Sequence, residues 1–565
     1  MKISTMKLCL MLFAVFSAFG IINAQTTFEW VRTYDEPDKR NTIHDACFDK
    51  NGNSYLAGSQ LIFQGNDTSE DFLTIKYDKD GNLLWQKTYD SGTGMNDVAN
   101  TVVLDDRGNV YVAGFGDGVN ELDQYVIIKY SPNGEELWRT FFNGPESGGI
   151  KWHDHATNIC LDEEGNVYVT GTSQELDGNT FYIHTNIATL KLNSSGVIQW
   201  SHIYNTPENG DEWAAGIEVN QFGQVYVAGT TTNQNENTVA DMLLIMYDKD
   251  GNLKWLKRYD GPASAADGVL TMTSDRFGNA YICGFQNDEA NTGTADFYIA
   301  KYDSSGALIW SDVINEDDPG VSANWHFTYA IAIDSEDNLY VHAYNTGFEN
   351  FVAKYDLDGN RKWISFWDGL TRNAITNIAF DNNNNIYVTG DASNCGSDGS
   401  TLAAAKFDPS GNKIWVVSYE DGIVNDNGVW GNDSYGVGVD NDGNVYIAGN
   451  AGVPPDYIFE VVKYSQTATG VNDDNPTAEK FSLNQNYPNP FNPSTTISFS
   501  IPETDFVTLI VYNSIGQEVA KLIDSELSAG TRQVQFNAAN LPSGTYFYRL
   551  RAGNFVQTKK CLLIK

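Results

Sequence analysis

Eight polar residues occupy equivalent places in a repeated pattern: Asn41, Asp97, Asp154, Glu212, Asp267, His326, Asn373 and Asn432. Each lies eight residues before the Asp or Asn that opens a turn, as Asp97 precedes Asp105 and Asp154 precedes Asp162. Carboxylates converging on one axis can hold a hard cation such as Ca2+, or the amino and hydroxyl groups of a ligand. The structural alternative is that all eight are turn residues at the starts of strands. Within the same pattern, "WHDH" (Trp152 to His155) holds the only close pair of histidines. His153 and His155 are metal-ligand types, although two imidazoles are an incomplete set. No HExxH, GxSxG, P-loop or GxGxxG motif accompanies them, so no nucleophile–base constellation supports catalysis.

The elements that position these residues show in the tryptophans. "YDKDGNLLW" (Tyr77 to Trp85) returns as "YDKDGNLKW" (Tyr247 to Trp255), with weaker copies ending at Trp363 and Trp415. Trp30, Trp138, Trp200 and Trp310 complete a series with a period of roughly fifty residues, the mark of a propeller or solenoid. Each period holds four strand-like runs, as in "ANTVVLD", "NVYVAG", "QYVIIKY" and "EELWRTF", and four strands make a propeller blade.

Turns such as "DDRGN" and "DKDGN" place Asp where its carboxylate accepts local backbone N–H groups, and Gly where the chain needs a left-handed residue. A calcium loop would need ligands where Gly81 and Trp85 stand, so these are hairpin turns. The indoles are expected to pack between blades. "FEWVRTYD" (Phe28 to Asp35) reads as a fourth strand with no first three before it, and the last unit lacks its fourth. Pairing the two closes the circle and removes two open edges, which predicts eight blades. Long connections fall only where the fourth strand meets the next blade and between the second and third strands. Both classes open on one face, so that variable face is expected to bind a glycan or protein ligand.

The pattern resembles the bacterial β-propeller repeat family (SBBP/NHL-like) over residues 27–466, carried by "DxxGNVYVAG" and "KYDxxGNLLW". The eight blades and Asp–Gly–Trp turns also resemble tryptophan-docked quinoprotein dehydrogenases. That resemblance implies an enzyme with its site at the channel mouth, but the adjacent cysteine pair of those enzymes is missing.

The two ends concern export. A basic start, an apolar run from Leu8 to Ile22 and a break after Ala24 predict a signal peptide over residues 1–24, too short for a spanning helix. Cys47, Cys160, Cys283, Cys395 and Cys561 show neither disulfide nor metal spacing, and most are expected to be small buried residues. The net charge of −38 repels nucleic acid and anionic lipid, so attachment would be the only route to the outer-membrane surface. A polar linker (467–480) leads to residues 481–565, whose alternating strands predict a small Ig-like β-sandwich. Its "NYPNPFNPSTTISFSIP", "YNSIGQEV", "LPSGTYFYRL" and "KKCLLIK" closely resemble the type A sorting domain of the type IX secretion system. The resemblance implies recognition by that machinery, followed by release or by attachment to the surface of a Gram-negative cell.

Overall fold

The computed structural model describes residues 25–34, 39–64, 67–118, 122–146, 152–176, 182–206, 210–232, 240–262, 265–287, 295–315, 318, 321, 326–345, 350–367, 377–393, 400–419, 433–451 and 458–467 of the first part of the chain. Of the second part it describes 481–483, 486, 489, 491, 493–502, 504–527, 530–538, 541–553 and 555–564. The expected signal peptide and most of the linker lie outside the described residues, as does Cys395. Cys47, Cys160, Cys283 and Cys561 are free thiols, the last two buried and the first two partly so. The chain divides into two units between Thr467 and Ala468.

Among its described residues the first unit contains eight four-stranded antiparallel sheets. Seven are local: the second runs through Val98–Leu104, Val110–Asp117, Asp123–Tyr130 and Glu136–Phe142, and the third through Asp154–Leu161, Val167–Leu176, Ile183–Leu192 and Ile198–Tyr204. In the eighth, the strand Gln25–Tyr34 pairs with Ile458–Thr467, joining the two ends of the unit in one sheet. The first strands of successive sheets lie against one another all the way round, and that of the eighth returns to that of the first. This closure is that of a β-propeller.

Each sheet starts from the same hairpin. Asp105 Oδ1 accepts the backbone N–H of Arg107 (3.0 Å) and of Asn109 (2.9 Å), while Oδ2 accepts Asn109 Nδ2 (2.7 Å) and the Tyr111 hydroxyl (3.1 Å). One carboxylate thus satisfies the turn and orients the tyrosine that enters the core. Asn220 does the same in the fourth sheet, its amide oxygen accepting the N–H of Phe222 and Gln224. Gly108 closes the turn at φ 77°; where the sequence offers no glycine, Asp337 (65°) and Asn384 (56°) take the left-handed conformation, which their short polar side chains tolerate.

The second hairpin of a sheet meets the tryptophan of the sheet before it. Trp138 Nε1 donates to Ser194 O (3.1 Å), and a Cβ on Gly196 would stand 2.6 Å from the indole ring. The same pair recurs as Trp85 with Gly134, Trp200 with Gly251, Trp255 with Gly306, Trp310 with Gly359 and Trp363 with Gly411. These glycines therefore provide both a left-handed turn and room for the neighbouring indole. The closing sheet differs. Its register matches that of the other sheets, with the same shift just before Trp30, but Arg32, which lies over the Trp30 ring, takes the place against Gly81, and Arg32 Nε donates to Gly81 O (2.9 Å). Trp415, which has no hairpin ahead of it, donates instead to Gln466 Oε1 (3.3 Å).

The second unit has a three-stranded sheet (Ser482–Leu483, Ser494–Ile501, Gly530–Asn537) and a four-stranded one (Glu518–Leu527, Asp505–Asn513, Gly544–Ala552, Phe555–Leu563). Ile497 and Phe499 from one, with Val511, Tyr548 and Cys561 from the other, share a single core. Phe491 of the "NPFNPS" segment is buried in that core and exchanges backbone bonds with the last strand at Leu562 and Ile564.

Gly196→Ala and Gly443→Ala separate the two demands on the turn glycines. Both positions have positive φ (80° and 81°), but nothing lies within 4 Å of a Cβ on Gly443. Each substitution should cost about 1–3 kcal/mol of backbone strain. Denaturant unfolding should show the larger loss at Gly196; equal losses would remove the indole from the account.

Candidate functional site

The described members of the polar column are all buried, and each is held by its own blade junction. Asp97 Oδ2 accepts the N–H of Ser91 (2.7 Å), in the connection arriving from the first sheet, and Oδ1 accepts that of Asp117 (3.1 Å), at the end of its own second strand. Asp267 takes the N–H of Gly261 and of Asn287 in the same way, and Asp154 that of Gly144 (2.7 Å). Glu212 reaches the hydroxyls of Thr206 (2.8 Å) and Thr231 (3.1 Å). Asn41 donates to Tyr34 O and accepts from Gln60 Nε2 (2.9 Å). Each is a clasp that fastens the incoming loop to the rim of its sheet. Asp97 and Asp267 thus have both carboxylate oxygens occupied by amides, whereas Glu212 Oε2 is buried without a hydrogen bond.

His326 begins the strand His326–Ile333, with its side chain outside the described atoms; Asn373 and Asn432 lie outside the described residues. Sequence reasoning missed Asp45, whose Oδ2 accepts the Val102 N–H (2.8 Å) and the Thr101 hydroxyl (3.0 Å), tying the first sheet to the second.

The histidine pair stands differently. His153 precedes the strand Asp154–Leu161 and His155 is its second residue, so Asp154 turns inward between two side chains that face the other way. His153 Nδ1 and His155 Nε2 both stand 2.6 Å from one oxygen, Asp123 Oδ2, at the start of the second sheet's third strand. The His155 ring stacks on Phe115 (centroids 3.9 Å, planes 20° apart). Directly across from Asp123 on the neighbouring strand lies Asp117, which accepts the Thr93 hydroxyl (3.1 Å). Burial works to raise Asp123, but the hydrogen bonds from His155 and His153 prevail and hold it down at about 2. Asp117 is raised, by burial and by the facing Asp123. Asp123 lies thirty residues before His153, beyond the reach of any spacing rule.

Among the described residues, one other group brings three ligand atoms within 4.8 Å: Asp241, Asp260 and Asp267. There Asp241 is already paired with Arg258, and Asp267 is occupied by its two amides. One junction further round from the histidines, Tyr182 (45% exposed) donates to Asp211 Oδ2 (2.9 Å), two residues before Trp213 (44% exposed).

Residues 485–565 match the model of the secretion system C-terminal sorting domain. This domain marks proteins secreted by the type IX system to the cell surface or the extracellular space, and it is the part recognised by that machinery. An uncharacterized WD repeat-containing protein of Acanthamoeba polyphaga mimivirus is 24% identical, covering 57% of this chain but only 31% of that protein, so the chain spans less than a third of the relative's length. Among solved structures, PorZ, an essential surface component of the type IX secretion system of Porphyromonas gingivalis, is 12% identical with a TM-score of 0.38 over 93% of this chain and 74% of that one. The α-L-arabinofuranosidase Arb93a of Fusarium graminearum is 8% identical with a TM-score of 0.36 over 55% of this chain and 92% of that one. The site rests on its own geometry and takes nothing from these likenesses.

The clasps give a pH dependence. Burial pushes the carboxyls of Asp97, Asp154 and Asp267 up to about 6, against the pull of their amide hydrogen bonds. A carboxyl raised in the folded state binds its proton more readily there than in the unfolded chain. Its contribution to stability therefore falls as pH rises from about 4 through 6, and returns on acidification. Between pH 7 and pH 4.5 the wild type should gain about 1–3 kcal/mol on Asp97→Asn in unfolding free energy. A difference independent of pH would show an unshifted carboxyl.

Proposed function

We propose that the protein is a binding module, delivered by the type IX system, that grips a glycan on the loop face of its ring. The reading is carried by two exposed aromatics, Tyr182, which donates to Asp211, and Trp213, two residues beyond it. The flat faces of an indole and a phenol suit the C–H faces of a sugar ring, and a carboxylate accepts from its hydroxyls. Asp211 is fixed by the Thr185 N–H (2.8 Å) as well as by Tyr182, so the acceptor is in place before a ligand arrives. The opposite face consists of hairpins whose Asp and Asn groups bond one another, as Asp105 and Asn109 do.

In this reading the repeats are of the SBBP/NHL-like bacterial kind. Residues 1–24 are removed on the first crossing, and the linker 467–480 is where the ring parts from its tail. The ring then acts as a rigid frame, and specificity lies in the connections it displays.

A panel of soluble glycans tested against the exported protein checks this. One class should bind, and Trp213→Ala should weaken it by about tenfold or more, the loss of one stacked ring, with no change in the unfolding midpoint. Binding that survives Trp213→Ala contradicts the reading, as does a panel in which nothing binds.

A further inference from the structure

The geometry points to a site for one divalent transition-metal ion, zinc foremost, held by Asp123 Oδ2, His153 Nδ1 and His155 Nε2 at the junction of the second and third sheets. The three ligand atoms lie within 4.8 Å of one another, and each nitrogen stands 2.6 Å from the oxygen. An ion held about 2.0–2.1 Å from nitrogen and oxygen sets neighbouring ligand atoms ~3 Å apart, so the cluster needs only to open slightly. Two imidazoles and one carboxylate favour zinc and its transition-metal neighbours over calcium or magnesium, which seek oxygen alone.

The surroundings are those of a prepared site. Phe115 fixes the plane of His155. Asp117, itself held by Thr93, stands directly across from Asp123 on the neighbouring strand. The histidine side chains are 42% and 34% exposed, so coordination positions remain open on the solvent side for water or a ligand group.

The repeat supplies a second and independent argument. None of the other seven units has a histidine at either place; Asn96 and Val98 stand there in the second unit, and Asp211 and Trp213 in the fourth. The blade has no need of these imidazoles, whereas Asp154 between them keeps the clasp role of its column. The site does not depend on what the aromatics bind one junction away.

The test is titration of the full exported protein, stripped with chelator, with zinc chloride alone, and separately with calcium chloride. One equivalent of zinc should bind, with calcium at least tenfold weaker. His153→Ala/His155→Ala should lose about a hundredfold or more in zinc affinity, and His202→Gln, a histidine stacked on Tyr247 elsewhere, should lose nothing. If the double variant does not fold, cobalt(II) added to the wild type decides: visible bands of a nitrogen-ligated ion support the site. Their absence overturns it, as does zinc affinity that persists in a folded double variant or that calcium matches, since cations would then merely collect on an acidic surface.

Discussion

The ring depends on the contact between an indole and a bare glycine. A tryptophan on the outer strand of one sheet can lie flat on the next hairpin only where that hairpin lacks a Cβ, and the turn also needs a left-handed residue there. One glycine meets both needs, and Trp138 on Gly196 shows how little space is left. The buckle of Asp, Asn and Tyr in the other hairpin, as at Asp105, fixes the register of each sheet, so the indole always arrives at the same height. Local turn chemistry thus becomes ring geometry without a disulfide among the described residues.

The closing sheet shows how far this can be relaxed. Its strands come from opposite ends of the unit and no hairpin joins them, so two flexible side chains stand in: Arg32 donates to Gly81 O, and Gln466 accepts from the Trp415 indole. At the other end of every sheet the demand is different: an incoming loop must be fastened to a rim. The clasps do this by burying a carboxylate under backbone amides. That is tolerable inside a protein because the amides partly replace the water the carboxylate gives up.

Much of this was legible. The period of the tryptophans, the four strand-like runs in each unit and the orphan strand at Phe28 together led to the closed ring of sheets that the structure contains. The polar column was visible too, but its partners were not. Backbone amides leave no trace in a sequence, and a buried clasp and a ligand-binding ring call for the same residue types. Trp30 packs between the eighth and first sheets as its place in the series predicts, but the series did not show that Arg32 would take the position against Gly81. Asp123 was invisible for another reason: it belongs to the preceding blade, and only the packing of one sheet on the next brings it to His153 and His155. The sorting tail was the easiest part to read, since several of its motif residues, among them Phe491, Ile497, Phe499, Tyr548 and Leu550, are themselves core residues.

A structure made of equal units implies that particular chemistry lies where one unit departs from the rest. The most direct measurement of that claim is anomalous diffraction at the zinc edge from crystals of the exported protein grown with zinc. The account predicts one strong peak, between Asp123, His153 and His155, and none in the turns or among the clasps. Peaks at the turn carboxylates or along the polar column, with nothing between the histidines, would contradict it.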